Sequence, residues 1–306
     1  MIRKSTSLQR LNADRGLGRL GRFKGRLYRL LNRVNNLLPY TFVDSCLEVR
    51  DFTCEDLDKY WNRLNAKSSP SRKLSDLFWL KLPWEKIRKE LGEIHVLDAG
   101  CGSGEYGRKL TEWSNGAIKS YTGIDFSSNE NWIALEKKYT NFSFYQAEVE
   151  NILQYVSEKI NFFMSQSAIE HFDEDLHFFR QISDYILSSK KTVIQVHLFP
   201  SNSCLRLYGN HGIRQYTPRT VSKITRLFRN FSCSALFRLG GDNCNHLHYE
   251  FITKPIFLEG NDWRDTRTAE YDRKLLAAIE EDMKLPQTSP AFYVLVIHSN
   301  GNNKIF

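Results

Sequence analysis

From residue 94 to the C-terminus, short apolar runs alternate with stretches of helical periodicity. No other feature constrains the fold as much. "IHVLDAG", "SYTGIDF", "FSFYQAE", "INFFMSQS" and "KTVIQVHLF" read as strands, with helices at 105–114, 129–139 and 174–188 between them. Strands joined this way form a parallel sheet whose faces are both covered by the connecting helices. Pro218 opens another helix to about Phe228, and "FSCSALFRLGG" follows as a strand. A helix at 266–283 precedes "AFYVLVIHS", the last strand. The expectation is an α/β, doubly wound sheet with helices on both faces.

The first strand passes into its helix through "LDAGCGSGEYG", with Asp98, Gly100, Gly102 and Gly104 in close succession and Gly107 after them. Glycine admits positive φ and lets a ligand approach the backbone. In sheets of this kind ligands bind beyond the carboxyl ends of the strands. The spacing G-x-G-x-G departs from the dinucleotide pattern G-x-G-x-x-G. Asp125 closes the second strand, where a carboxylate can accept hydrogen bonds from both hydroxyls of a ribose. Its alternative role is an acid favoured by a helix N-terminus. Glu148 closes the third strand and can accept from an adenine amino group, or serve as an exposed loop acid.

These motifs together resemble the class I S-adenosylmethionine-dependent methyltransferases, over about residues 94–240 and the last strand. "LDAGCGSGEYG" resembles the first motif of that family. The resemblance implies that Gly100, Gly102 and Gly104 hold the methionine end of the cofactor and that Asp98 orients it. "GIDFS", with Asp125 and Phe126, resembles the ribose motif. "FYQAEVEN", with Glu148 and Val149, resembles the adenine motif, although the family more often has Asp at the position of Glu148. "INFFMSQSAIEHF" is similar to the fourth motif of the branch that methylates small molecules, lipids or glycans. Ser165, Glu170 and His171 match it, whereas Asn161 stands where Asp is usual. The implied fold is a Rossmann-like sheet of seven strands, the last antiparallel, and the implied cofactor is S-adenosyl-L-methionine. Ser165 joins the implied cofactor-binding set. The stretch 198–217 resembles the variable segment that covers the acceptor.

Methyl transfer is an in-line displacement, so the protein must hold an acceptor about 3 Å from the activated carbon. A hydroxyl acceptor also needs a general base, most naturally histidine. His171 and His197 follow or end strands at the expected ligand edge and are the catalytic candidates. Either can instead shape the pocket or cap a helix. His211 is a third candidate, and Arg206 and Arg214 are candidate holders of an acceptor phosphate or carboxylate, or else solvated arginines. The amino-methylating signatures "NPPY" and "DPPY" are absent, and "SQSA" occupies their place. The leading reading is O-methylation of a sugar, glycan or lipid-linked acceptor. The alternatives are methylation of RNA or another small metabolite, and a non-catalytic cofactor-binding scaffold.

The formal charge of +8 is concentrated at the N-terminus: residues 1–36 contain ten Lys/Arg and one acid, Asp14, so the rest of the chain is near neutral. That body is a poor polyanion binder, which argues against a nucleic-acid partner. Leu20, Phe23, Leu27, Leu30, Val34 and Leu37 recur at helical spacing, and Arg19, Arg22, Arg26, Arg29 and Arg33 follow the same rhythm one position earlier. Adjoining basic and apolar stripes fit a helix lying on an anionic membrane, over residues 17–38. A helix docked on the main domain and an organelle-targeting segment are the other readings.

Three parts are expected. Residues 1–40 form a basic amphipathic segment. Residues 41–92 form a helical extension, interrupted by Pro70 and Pro83. Residues 93–306 form the methyltransferase domain, with inserts at about 198–217 and 240–286. The six cysteines are scattered without C-x2-C spacing and read as reduced and cytosolic. Cys244, His246 and His248 alternate and would share a face on a strand as metal ligands, but buried or substrate-facing polar residues are the favoured reading. No apolar run reaches the roughly 18 residues of a membrane span, and no secretory signal is evident. The expected location is cytoplasmic, with contact at the membrane periphery through residues 17–38.

Overall fold

A computed structural model describes residues 5–6, 23, 27, 30–31, 33–34, 36–207, 214–301 and 305–306. After a first strand, β1 (Leu47–Asp51), come α1 (Leu57–Trp61), α2 (Pro70–Lys81) and α3 (Trp84–Leu91). The alternating unit follows as β2 (Ile94–Ala99), α4 (Glu105–Trp113), β3 (Ile118–Asp125), α5 (Asn131–Lys138), β4 (Phe142–Gln146), β5 (Phe162–Gln166), α6 (Asp175–Ser189) and β6 (Val193–Pro200). It closes with α7 (Pro218–Thr225), β7 (Ser232–Leu239), α8 (Asp242–His248), α9 (Lys254–Glu259), α10 (Thr268–Lys284) and β8 (Phe292–Ser299).

The strands form one sheet in the order β1-β7-β8-β6-β5-β2-β3-β4. All neighbours are parallel except β8, which lies antiparallel between β6 and β7. The expected antiparallel last strand is therefore present, but the sheet has eight strands, not seven. The additional strand is β1, in a stretch read as helical. It pairs parallel with β7 from Leu47 opposite Ser234 to Asp51 opposite Arg238. "LEVRD" is short, charged and at the sheet edge, so it carries no run of buried apolar residues to announce it.

Strands β2, β5, β6 and β8 are buried along their whole length, and a hydrophobic cluster lies on each face of the sheet. One contains Trp79, Val96, Phe162 and Val196; the other contains Leu97, Phe163, Phe179 and Leu295. The α2 helix, which begins at Pro70 behind the N-cap Ser69, contributes Leu74, Leu77, Phe78 and Trp79 to the first cluster. Its packing is fixed by the Trp79 indole, which donates to Gln166 Oε1 at 3.0 Å, just where β5 ends.

Beyond β2 the chain builds outward through β3 and β4, then returns to place β5 on the other side of β2. The carboxyl end of β2 is thus the point where the winding reverses, and a crevice opens there. Asn161, the departure from the fourth motif, lies at the opposite end of the strands. It accepts from the His95 amide at 2.9 Å and donates to the Glu93 carbonyl at 2.8 Å, tying β5 to the start of β2. An aspartate could not make the second bond.

Candidate active site

The crevice is a cavity of about 630 Å³, within the range of small-molecule sites. Its walls come from the ends of four adjacent strands: Asp98 to Ser103 after β2, Asp125 and Phe126 after β3, Ala147 to Glu150 after β4, and Gln166 to Ala168 after β5. His171, Phe172 and Asp173 close one side, and Arg72, Glu105, Tyr106 and Lys109 another. Asp98, Gly100, Gly102, Asp125, Phe126, Glu148, Val149 and His171 therefore meet in one place.

The glycines serve different ends. All three have positive φ, at 79° for Gly100, 53° for Gly102 and 76° for Gly104. A Cβ on Gly100 would lie 2.4 Å from the Ala168 Cβ, and one on Gly104 would lie 2.5 Å from the Phe144 ring. Those two positions are glycine because the protein itself comes too close. A Cβ on Gly102 would meet nothing within 4 Å. Gly102 is the one whose missing side chain leaves room on the cavity wall. Its amide donates to Asp125 Oδ2 at 2.8 Å, while Asp125 Oδ1 accepts from the Ser127 amide at 3.1 Å. The turn and the carboxylate at the end of β3 are thereby held together.

Asp98 is almost wholly buried. Oδ2 accepts from the Tyr121 hydroxyl at 2.6 Å, and Oδ1 is buried with no partner among the described residues. Burial pushes its carboxyl up to about 7, against the lowering effect of the Tyr121 hydroxyl and with added repulsion from Asp125. An unsatisfied buried carboxylate oxygen beside a ligand cavity calls for a donor from the ligand. The ammonium of an amino-acid moiety supplies one, together with the opposite charge. These residues fit S-adenosylmethionine: a donor-seeking acid at the glycine turn, Asp125 at the end of the next strand, and Glu148 with Val149 beyond.

His171 ends a short 3-10 turn, Ile169–His171, and its ring is partly exposed to the cavity. Its Nε2 lies 3.9 Å from the carboxylate of the fully buried Glu170. The turn is held from beneath by Arg214, whose guanidinium donates to the carbonyls of Ile169, Phe172 and Asp173. Arg214 is only 1% exposed. Its donors serve these carbonyls and the Ser5 hydroxyl, and its charge faces Asp175, so it holds no acceptor phosphate, contrary to the sequence-based expectation. Asp175, buried beside it, accepts from Thr6 and from the Tyr216 hydroxyl. Residues 5–6 thus dock next to the His171 turn.

The second histidine does not reach the cavity. His197 is fully buried three residues before the end of β6, opposite Ser165 in register. The Ser165 hydroxyl pairs with its Nδ1 at 2.9 Å, and the rings of Phe178 and Phe179 meet it edge-on. Burial pushes the imidazole down to about 3, so it stays neutral. His197 is not positioned as a base, and Ser165 satisfies His197 rather than the ligand. Both are corrections to the sequence reading. The cause is that β6 continues to Pro200, paired with Phe292, and carries His197 into the sheet. His211 and the Arg206 side chain lie outside the described residues.

The Cys244, His246 and His248 grouping sits on α8, not on a strand, so alternate residues diverge. Cys244 and His248 are buried while His246 is exposed, and no group of metal-ligand residues occurs among the described residues. Arg72, Tyr106 and Lys109 are among the lining residues that the sequence did not single out. Of these three, Tyr106 lies within the glycine motif.

Residues 91–205 match the model of a family described as a methyltransferase domain. That segment, from the end of α3 through β6, contains the glycine turn and four of the strands that line the crevice. S-adenosylmethionine fits the acids and glycines that line the crevice. Solved structures similar to this chain include the plantazolicin methyltransferase BamL in complex with a triazolic desmethylPZN analog and SAH. It is 17% identical, the match covering 91% of this chain and 99% of that one, at a TM-score of 0.42. A SAM-dependent methyltransferase from Archaeoglobus fulgidus is 19% identical, over 70% of this chain and 90% of that one, also at 0.42. A putative methyltransferase from Bacillus halodurans is 12% identical, over 71% and 96%, again at 0.42. No curated protein matches the sequence.

Proposed function

We propose that this methyltransferase transfers the methyl group to a hydroxyl of a sugar, glycan or lipid-linked acceptor, with His171 as the general base. The observation that carries the reading is His171 on the wall of the glycine-turn cavity, with a buried carboxylate 3.9 Å from its Nε2. The cofactor supplies the activated methyl carbon. The protein aligns the acceptor oxygen, and His171 takes the hydroxyl proton as the new bond forms. Glu170 then stabilises the imidazolium by charge. Phe126, Val149 and Phe172 give the cavity apolar wall that keeps water from competing.

A polyanionic acceptor such as RNA is disfavoured, because Asp98, Asp125, Glu148 and Glu150 outnumber the cations Arg72 and Lys109 around the cavity. An exposed stripe at the N-terminus supports work near a membrane. Phe23 is 70% exposed and Leu37 71%, with Leu27, Leu30 and Val34 exposed between them. Among the described residues, Thr6 is hydrogen-bonded to Asp175, and Leu37, at the end of the stripe, lies beside Asn202 and Tyr249. The bordering arginines follow the same rhythm in sequence, which matches an anionic lipid surface. Leu37 and Tyr249 line one surface cavity, and Phe257 and Leu258 protrude from the following α9. Among the described residues no helix is long and apolar enough to cross a membrane.

The test is transfer of labelled methyl from the cofactor into separated lipid, glycan, RNA and small-molecule fractions of cells. Label in the lipid or glycan fraction, in a base-stable ether, supports the proposal. Label confined to RNA, or to nitrogen, refutes it.

A further inference from the structure

The cofactor carries a carboxylate as well as an ammonium at its methionine end, yet the charged groups at the strand ends are all acids. Asp98 stands there, with Asp125 and Glu148 farther along the site. A carboxylate brought among these groups needs a cation, and apart from His171 the cavity has two, Arg72 and Lys109.

Lys109 is committed elsewhere. Its ammonium lies 3.1 Å from Asp76 Oδ2 and against the rings of Tyr106 and Trp113. Asp76 is buried, and its other oxygen accepts from the Tyr106 hydroxyl at 2.5 Å. Tyr106 in turn accepts from Arg72 Nη1 at 2.9 Å. Asp76 is thus shared between Lys109 and Tyr106; it and Glu170 act on Arg72 through space, and among the described residues Arg72 has no hydrogen bond or ion pair to a carboxylate. Among the described residues, Arg72 Nε and Nη2 have no hydrogen-bond partner. The bond to Tyr106 fixes the guanidinium beside the first turn of α4, two residues past Gly104. That is the methionine end of the crevice, not the ribose or adenine end.

We propose that Arg72 receives the carboxylate of the cofactor's methionine moiety, opposite Asp98, which receives its ammonium. The fork of the guanidinium suits a carboxylate, with one edge anchored on Tyr106 and the other open to the ligand. Arg72 belongs to α2, upstream of the matched segment 91–205. The N-terminal extension would then complete the cofactor site, not merely support it. This rests on the cavity being the cofactor site, and the test separates the two.

Calorimetry on the full chain would use two ligands, S-adenosylhomocysteine and 5′-methylthioadenosine, which keeps the nucleoside and sulfur but has no carboxylate. Arg72→Gln is expected to weaken S-adenosylhomocysteine about 10- to 100-fold, the range for losing hydrogen bonds to a charged group. It should leave 5′-methylthioadenosine unchanged. Arg72→Lys should recover part of the loss, having the charge without the fork. If Arg72→Gln binds S-adenosylhomocysteine as the wild type does, the proposal is overturned. Equal weakening of both ligands also overturns it, because Arg72 would then act only by shaping the turn through Tyr106. If the wild type binds neither ligand, the cofactor assignment of the cavity fails, and the proposal with it.

Discussion

Gly100 and Gly102 lie two residues apart in one turn, both at positive φ, yet alanine should affect them differently. At Gly102 the added Cβ meets nothing within 4 Å, so the cost is the backbone strain alone, about 1–2 kcal/mol for an L-residue in the left-handed region. At Gly100 the same strain is joined by a Cβ only 2.4 Å from the Ala168 Cβ and 3.7 Å from the Phe172 ring. Ala168 has no flexible end to swing away, so backbone must move. Overpacking of that kind adds about 1–3 kcal/mol, for a total of roughly 2–5 kcal/mol. With melting temperature falling about 2 °C per kcal/mol in a chain of this size, Gly100→Ala should melt about 4–10 °C lower and Gly102→Ala about 2–4 °C lower. Affinity should rank them the other way per unit of stability lost. The Gly102 methyl enters the space that the ligand needs, so S-adenosylhomocysteine should bind at least about tenfold more weakly, or 1.4 kcal/mol, to a protein that is still folded. Differential scanning calorimetry and isothermal titration of the two variants supply both readouts. The reasoning is refuted if Gly102→Ala binds with wild-type affinity, or if it melts as low as Gly100→Ala.

His171→Ala should lower turnover by about 10²- to 10⁴-fold, the usual weight of a general base, and leave S-adenosylhomocysteine affinity nearly unchanged; near-normal turnover would mean that alignment alone suffices. Because burial raises the Asp98 carboxyl to about 7 and a bound ammonium favours its ionised form, cofactor binding should release a proton below that pH. Affinity should rise by up to about tenfold per pH unit towards pH 7 and then level off, and Asp98→Asn, which still accepts from Tyr121, should flatten the profile. The unliganded protein should show the opposite sign: with the folded pKa above the ordinary 3.8, stability falls as pH rises between about 4 and 7 and is constant above that, so a stability gain over that interval attributable to Asp98 would refute the assignment. Flotation with anionic vesicles should recover the full chain at low salt and partly at high salt, since salt screens the basic stripe but not the apolar one. Leu27→Ser with Leu30→Ser should remove the salt-resistant part without disturbing the docked Thr6, and a wild type that ignores anionic vesicles would exclude the membrane role.

The sequence by itself determined the alternation of strands and helices, the existence of the last strand and the location of the ligand turn; that the last strand runs antiparallel came from the family resemblance. It also put Asp98, Asp125 and Glu148 at strand ends. These are local properties: periodicity marks the element, and the residue after the last apolar position marks where a parallel strand delivers its ligand-facing group. Glycine spacing revealed the turn but not the division of labour within it, which depends on Ala168 just after β5 and Phe144 on β4. The depth of a residue within the sheet was not legible either. Ser165 and His197 share a register row with each other, and only the run of β6 to Pro200 against β8 shows that the row lies inside the core. Sequence could not show that Arg214 supports the His171 turn some 40 residues away, that Thr6 pairs with Asp175, or that Arg72 reaches the cavity through Tyr106. In each case a buried charge or polar group must find a partner wherever the fold provides one, and that partner is set by how elements pack, not by spacing along the chain. The edge strand β1 has the same origin: "LEVRD" is a strand because β7 has an unpaired edge to offer it.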